Sequence, residues 1–352
     1  MPLILQERVS LKSLNTFGVD GRAAWFARVQ SLDDLACLRA DARLRDLPWL
    51  VLGGGSNVLP AGDIEAVVVQ VALAGVADAG RDGAARLVRV GAGEPWAPLV
   101  ERLLAGGRAG LENLALIPGL AGAAPIQNIG AYGLELAERL HSVAVWHAAD
   151  AAVRELAVHD CGFGYRDSVF KRDRSGARIV VGLTLRLPDP WQPVTGYAEL
   201  ERELAARGCA RPGPGDIFDA VCTLRRRKLP DPARLGNAGS FFKNPVVERA
   251  RHAELIERFP SIVSYPLGGG RYKLGAAWMI EACGLRGYTR GRAAVFEGQA
   301  LVLVNRGGAS GADILALARE VQERVRLKFA VTLEPEVCIV GAQQSAQALL
   351  AD

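Results

Sequence analysis

The sequence predicts an α+β protein whose last third forms a second α/β unit. Three observations carry this prediction. Strand-like and helix-like patterns alternate over about the first 210 residues. "RPGPGD" (211–216) then interrupts them as a linker that ends in Asp216, an N-cap for the next helix. Helix-rich sequence follows, closing with a strand, a helix and a last strand near residue 340. A chain of 352 residues is long enough for two or three domains, each with a buried core.

Each element has its own justification. "AAWFARV" (23–29) reads as a strand, and "SLDDLACLRADARL" (31–44) as a helix capped by Ser31, with Asp34 in the capping-box position. "WLVLGGGSNVL" (49–59) runs a buried strand into a glycine turn, and "AVVVQV" (66–71) is another strand. "LVRVGAGEP" leads into the helix "WAPLVERLLAGG", with Pro95 at its start and Gly106–Gly107 at its end. "VAVWH", "AVRELAV" and "ARIVVGLTLRL" make the stretch 143–187 strand-rich, and "YAELERELAAR" (197–207) is helical. Beyond the linker, "IFDAVCTLRRRK", "RARHAELIERF" (249–259) and "AAWMIEACG" read as helices. "QALVLVN" (299–305) is a strand, 311–328 a helix capped by Ser310, and "VTLEPEVCIV" (331–340) the last strand.

Composition narrows the function. Half the residues are hydrophobic and 23% charged, as in globular proteins. The net charge of +4 is spread rather than clustered, which suits anionic small molecules and argues against nucleic acid. The six cysteines form no C-x-x-C pair, so no metal site is expected and the thiols are expected reduced. The N-terminus lacks the pattern of a signal peptide. The longest apolar run, "LALIPGLAGAAPIQNIGAYG", is broken by prolines, glycines and amides, so no membrane insertion is expected and the protein is read as cytoplasmic.

Five motifs carry chemistry. In "LGGGSNVL" (52–59), Gly53, Gly54 and Gly55 let backbone N–H groups approach phosphate oxygens closely, and Ser56 and Asn57 add side-chain donors. Alone, a glycine triplet is more simply a strand-to-strand turn, and the Walker and G-x-G-x-x-G patterns are absent. "IPGLAGAAPIQNIGAYG" (117–133) is uncharged and holds four glycines, two prolines and the amides Gln127 and Asn128. It reads equally as small-residue packing and as the wall of a slot for a flat ligand; with the glycine turn, it favours a dinucleotide cofactor.

"CGFGYRDSVFK" (161–171) frames Arg166 for bidentate grip of a carboxylate, or for pairing with Asp167 at the surface. "TLRRRKLPDP" (223–232) is a run of four cations, a solvated helix face or a site for a diphosphate. "LEPEVCIV" puts Glu334 and Glu336 on one face of a strand, where burial of one carboxyl would make it a hydrogen-bond or proton donor. Finally, "NAGSFFKNP" (237–245) holds Ser240 on a tight turn beside two phenylalanines. A serine nucleophile needs a base, yet none of the four histidines lies in a recognisable triad motif.

Taken in order, "NTFG", "LGGGSNVL", "GAGEPW", "GLENLALIPG", "PIQNIGAYG", "FGYRDS", "KLPDP", "NAGSFFKNP", "QALVLVN" and "LEPEV" closely resemble the UDP-N-acetylenolpyruvoylglucosamine reductase (MurB) family, from about Asn15 to Val340. "WQPV" and Tyr197 resemble the form of the family with an extra tyrosine loop over the substrate. The resemblance implies an FAD-binding fold of the vanillyl-alcohol oxidase (PCMH) type in two subdomains, 1–70 and 71–210, with 331–352 returning to the first. Residues 211–330 would form a C-terminal α/β substrate-binding domain.

It implies non-covalent FAD, with its pyrophosphate on Gly53–Asn57 and its ring system along Pro118, Gly119, Gly122, Gln127, Asn128, Gly130, Tyr132 and Gly133. NADPH would be the co-substrate and UDP-N-acetylglucosamine enolpyruvate the substrate of a monomeric enzyme of peptidoglycan precursor synthesis. Ser240, Arg166 and Glu336 would be catalytic, the family motif selecting Glu336 over Glu334. Tyr197, Lys228, Asn244 and Gln299 would contact the UDP-sugar. Two positions depart from relatives: Cys338 stands where arginine is frequent, and Phe296 where some carry histidine.

Overall fold

The computed structural model describes residues 3–173 and 176–341. The chain forms two compact units: one holds Ala23–Gly54 and Glu65–Arg226 with the N-terminal strand, the other Ser10–Arg22, Gly55–Ile64 and the described chain after Arg226.

In the first unit a four-stranded sheet runs in the order Leu5–Ser10, Arg22–Val29, Ile64–Val71, Trp49–Leu52, its last pair parallel. A five-stranded antiparallel sheet runs in the order Ala152–Ala157, Leu140–His147, Arg178–Leu187, Ala85–Gly91, Val76–Asp82. The strand Arg178–Leu187 explains its own unbroken apolar run. Ile179 and Val181 join the core formed with Leu35, Leu38, Val67 and Val69, whereas Val180, Leu183 and Leu185 pack with Leu99, Leu103, Leu200 and Val221. A strand buried on both faces has no need of alternation. The helix Leu32–Ala40 has the expected capping box, Ser31 Oγ accepting from the Asp34 N–H and the Asp34 carboxylate accepting from the Ser31 N–H. Such a cap is worth about 1 kcal/mol.

The second unit is built on an antiparallel sheet ordered Gly236–Ser240, Val302–Asn305, Ala293–Val295, Thr289–Arg290. A three-stranded sheet (Val246–Glu248, Arg271–Leu274, Ser264–Leu267) and the Ser310-capped helix Gly311–Phe329 complete its main elements. Its core gathers Phe17, Phe241, Phe242, Leu274, Ile280, Val321 and Phe329. Val58–Pro60 pairs in parallel with Cys338–Val340, so the end of the described chain closes onto the segment after the glycine turn.

Three expected boundaries move. Asp216 lies inside the helix Pro214–Lys228, where its carboxylate accepts from the Gly213 N–H at 2.8 Å instead of standing at the N-cap. Proline is well suited to a first helical turn, so the helix begins before the aspartate. The strand after Phe296 starts only at Val302, because the Val302 N–H donates to the Gln299 carbonyl and closes a turn there. In the last segment only Cys338–Val340 is a strand, and this separates the two glutamates placed on one strand face. Glu334 is exposed and pairs with Lys243 Nζ at 2.9 Å, whereas Glu336 is half-buried.

Candidate active site

Three loops of the first unit pack backbone against backbone. Gly122 N–H donates to Ala92 O and Ala121 N–H to Glu94 O, both at 2.8 Å, and Trp96 N–H to Gly119 O at 2.9 Å. A Cβ on Gly54 would lie 3.0 Å from Gly119 Cα, and one on Gly122 would lie 2.5 Å from Ala92 Cβ. "LGGG", "GAGEP" and "PGLAG" therefore approach one another this closely because Gly54 and Gly122 carry no side chain, leaving a surface rich in backbone groups. Such a surface fits a ligand bound through backbone amides, as a dinucleotide pyrophosphate is.

Gly55 has a stricter requirement. Its φ is +62°, and a Cβ there would meet Leu14 O at 1.9 Å, while its carbonyl accepts from Thr16 N–H at 3.0 Å. This is the work of "NTFG", which packs under the turn. Gly55→Ala is expected to lose about 1–2 kcal/mol from the left-handed backbone alone, with more from the displaced Leu14 carbonyl. Thermal unfolding checks this, with Gly196→Ala, whose Cβ would meet nothing within 4 Å, as the near-neutral control.

Gly130–Ala131 and Leu134–Glu135 form a hairpin whose turn residues Tyr132 and Gly133 both have positive φ, +48° and +88°. Arg166 sits at a second tight turn, between the reciprocal Gly164–Asp167 backbone bonds, with φ +54°. A non-glycine residue in that region is strained, which marks functional sites. Its Nη2 donates to Gly130 O at 3.0 Å, and its carbonyl accepts from Lys171 Nζ at 3.1 Å. Asp167 pairs with Arg172.

Asn128 is buried and spent within the unit: Nδ2 donates to Glu135 Oε2 and Gly164 O, and Oδ1 accepts from the Ala137 N–H. It joins the hairpin to the Arg166 turn. Pro118 and Gly133 are exposed, while Gly119, Gly122, Gln127 and Gly130 are half-buried.

Tyr197 stands at the N-cap of the helix Ala198–Ala206, exposed, its ring edge-on to Tyr132 at 5.5 Å. Asn113 Nδ2 fixes this arrangement by donating to both Tyr132 O (2.9 Å) and Val194 O (2.8 Å). Burial pushes the Tyr132 phenol up to about 12, keeping it neutral and able to donate at ordinary pH. Arg225 is a residue the sequence reading missed. It interacts electrostatically with Tyr132 and Arg166, and burial lowers its pKa without discharging it. The signal lay in helical spacing: Arg225 falls three and four residues after buried Cys222 and Val221, whereas Arg226 and Arg227 are exposed. The cation run is thus not uniformly a solvated face.

In the second unit Ser240 ends the strand Gly236–Ser240 beyond a bulge: Asn237 faces Val304 and Ser240 faces Val302, with Ala238 and Gly239 (φ +69°) set against one partner residue. Bulges of this kind re-aim a side chain next to an active site. Buried Asn237 fixes it, Oδ1 accepting from the Gly239 N–H and Nδ2 donating to Pro230 O and Leu235 O. This ties "NAGSFF" to "KLPDP". Phe241 and Phe242 beyond it are fully buried, edge to face at 5.0 Å.

Ser240 is half-buried, and its hydroxyl makes no hydrogen bond among the described residues. Among the described residues no histidine is hydrogen-bonded to it: His252 bonds Ser264 at 2.9 Å, and His141 and His159 lie by Asp82 and Asp160. Glu336 is brought beside it through the backbone, its N–H donating to Phe241 O at 2.8 Å. Asn244 Oδ1 accepts from the Ala276 N–H, capping the helix Ala276–Ala282. Lys228 ends the helix Pro214–Lys228, and Gln299 Oε1 accepts from the Leu301 N–H at 3.4 Å.

The comparisons with known proteins agree with this geometry. The FAD binding domain family matches residues 23–157, and the UDP-N-acetylenolpyruvoylglucosamine reductase C-terminal domain family matches 231–340. An FAD-binding domain joined to a reductase C-terminal domain marks an FAD-dependent oxidoreductase. The reductase of Ralstonia nicotianae is 49% identical over 343 residues, 96% of this chain and 99% of that protein. That of Paraburkholderia xenovorans is 53% identical over 332 residues, covering 94% and 96%. The crystal structure of the Thermus caldophilus reductase (MurB) is 26% identical with a TM-score of 0.65, covering 96% of this chain and 99% of that one. The chain belongs to the UDP-N-acetylenolpyruvoylglucosamine reductase family. The expected α+β class with an FAD-binding domain is borne out. Among the described residues no cluster could hold a metal ion, and no helix is long and apolar enough to cross a membrane.

Proposed function

We propose that the protein reduces UDP-N-acetylglucosamine enolpyruvate to UDP-N-acetylmuramate for peptidoglycan synthesis, as a cytoplasmic monomer with NADPH as reductant. The observation that carries the reading is Ser240: half-buried on a bulge, with no histidine bonded to it among the described residues, and one residue from the carbonyl that holds Glu336. Residues 1–210 serve the cofactor and 211–330 the substrate in this reading. The backbone cradle at Gly53–Gly55 and Gly119–Gly122 holds the FAD pyrophosphate, and 117–133 lines its ring, with Asn128 shaping the loop from inside. These residues would hold FAD non-covalently, and the chemistry it would supply is hydride transfer from NADPH to the enolpyruvyl β-carbon.

The residues then have distinct tasks. Arg166 stabilises the negative charge that grows on the α-carbon and carboxylate, and Glu336 is the further catalytic group of this reading. Arg225 adds a second cation beside Arg166. Ser240 Oγ gives its proton to the α-carbon from a fixed face, which sets the configuration of the lactyl ether. Lys228, Asn244, Tyr197 and Gln299 hold the UDP-sugar.

The test is spectroscopic. The purified protein is expected to be yellow, to bleach with NADPH without air and to recolour with the enolpyruvyl UDP-sugar. Recolouring by air alone, with the sugar inert, would mark a flavin oxidase. A colourless protein indifferent to NADPH would be a nucleotide-sugar binder.

A further inference from the structure

We propose that Asn57 is a positioning residue for Glu336, so that the turn assigned to the cofactor phosphates also places the catalytic carboxyl. This rests on the reading of Glu336 given above. The segment 334–340 changes partner at Glu336. Up to that residue it runs beside 241–243: Lys243 N–H donates to Glu334 O at 2.9 Å, Glu336 N–H donates to Phe241 O at 2.8 Å, and Phe242 bridges Pro335. Beyond it, Cys338–Val340 pairs with Val58–Pro60, and Ala61 N–H donates to Val340 O at 2.8 Å.

Asn57 binds both sides of the crossing. Its carbonyl accepts from the Cys338 N–H at 3.0 Å, and its side-chain Nδ2 donates to Glu336 O at 3.2 Å. Main-chain pairing to the Val58 strand begins at Cys338, so the Asn57 amide extends the ladder one step upstream, to Glu336 itself. Glu336 thus has its N–H held from the Ser240 strand and its C=O held from the glycine turn. Val337, between the two Asn57 bonds, is buried, which fixes the facing of its neighbours. The sequence reading gave the Asn57 amide to phosphate; here that amide spends a donor on the segment that carries the carboxyl.

The experiment compares Asn57→Ala and the isosteric Asn57→Asp with Glu336→Gln and the Asn57→Ala/Glu336→Gln double variant, all as purified holoenzyme. Asn57→Asp sets an acceptor against the Glu336 carbonyl and is read alone if the alanine variant does not fold. Flavin content and the rate of NADPH bleaching are read first, and recolouring is compared per bound flavin so that any effect on FAD is separated from the substrate half-reaction. Recolouring at saturating substrate is expected to slow about tenfold to a hundredfold, the size of a misplaced catalytic group, with little change in the substrate concentration for half-saturation. In the Glu336→Gln background the Asn57 change is expected to add little, since both act through one carboxyl.

Loss of FAD with normal recolouring of the residual holoenzyme overturns the inference in favour of a phosphate ligand. A fully additive double variant overturns it in favour of a general structural role. Normal recolouring in both Asn57 variants while Glu336→Gln is slow overturns this inference and leaves the role of Glu336 standing. Normal recolouring in Glu336→Gln overturns that role first, and this inference with it.

Discussion

Ser240→Ala is expected to bleach with NADPH at a near-normal rate and to recolour with substrate about 10²–10⁴-fold more slowly, the span a positioned proton donor contributes. The division follows from where the hydroxyl stands. It lies beyond the 238–239 bulge and makes no hydrogen bond among the described residues, so its removal breaks no internal contact. Stopped-flow absorbance of the two half-reactions, run separately, decides the matter. Equal slowing of both would remove Ser240 from the protonation step. Proton inventory adds a second check: in D₂O the wild-type substrate half-reaction should carry a solvent isotope effect that the alanine variant alters. A fluorophosphonate is expected to leave Ser240 unlabelled, because no histidine is hydrogen-bonded to it among the described residues.

Arg166→Ala is expected to slow the same half-reaction by about 10²–10³-fold, the loss seen when one donor to a developing oxyanion is removed. Arg166→Lys should recover only part of this, since a lysine keeps the charge and loses the two-pronged fork. The position has a structural duty as well, because Nη2 holds Gly130 O at 3.0 Å. Thermal unfolding separates the two effects: the lysine variant should unfold close to wild type while remaining slow. Unimpaired turnover in the alanine variant would take Arg166 out of the mechanism.

Much of the fold was legible because local signals were strong. The capping boxes at Ser31 and Ser310, the Pro95 start and the apolar run 178–187 all report backbone or burial demands that few other sequences meet. The three misjudged boundaries share a cause. At Asp216, Gln299 and Glu336 a side chain or a chain crossing satisfies backbone groups that a regular element would otherwise take. Such decisions depend on distant partners, which periodicity does not record. The same limit hid Arg225 inside a cation run, since its neighbours Tyr132 and Arg166 lie 93 and 59 positions earlier in the chain. The choice between Glu334 and Glu336 was likewise invisible to alternation. It came from the family motif, and in the structure one glutamate faces solvent beside Lys243 while the other is drawn in.

The pairing of Val58–Pro60 with Cys338–Val340 has a consequence for how the enzyme is made. Asn57 and Glu336 are 279 positions apart, so the clamp between them closes only after nearly all of the described chain has left the ribosome. Contacts of that separation form late, because a long loop must close before they give any return. Of the residues proposed to act, the glycine turn, Arg166 and Ser240 all precede Glu336 in synthesis, so a growing chain would carry most of the proposed chemistry before Glu336 is added. Activity should therefore switch on at the end of folding, with the last strand as its gatekeeper.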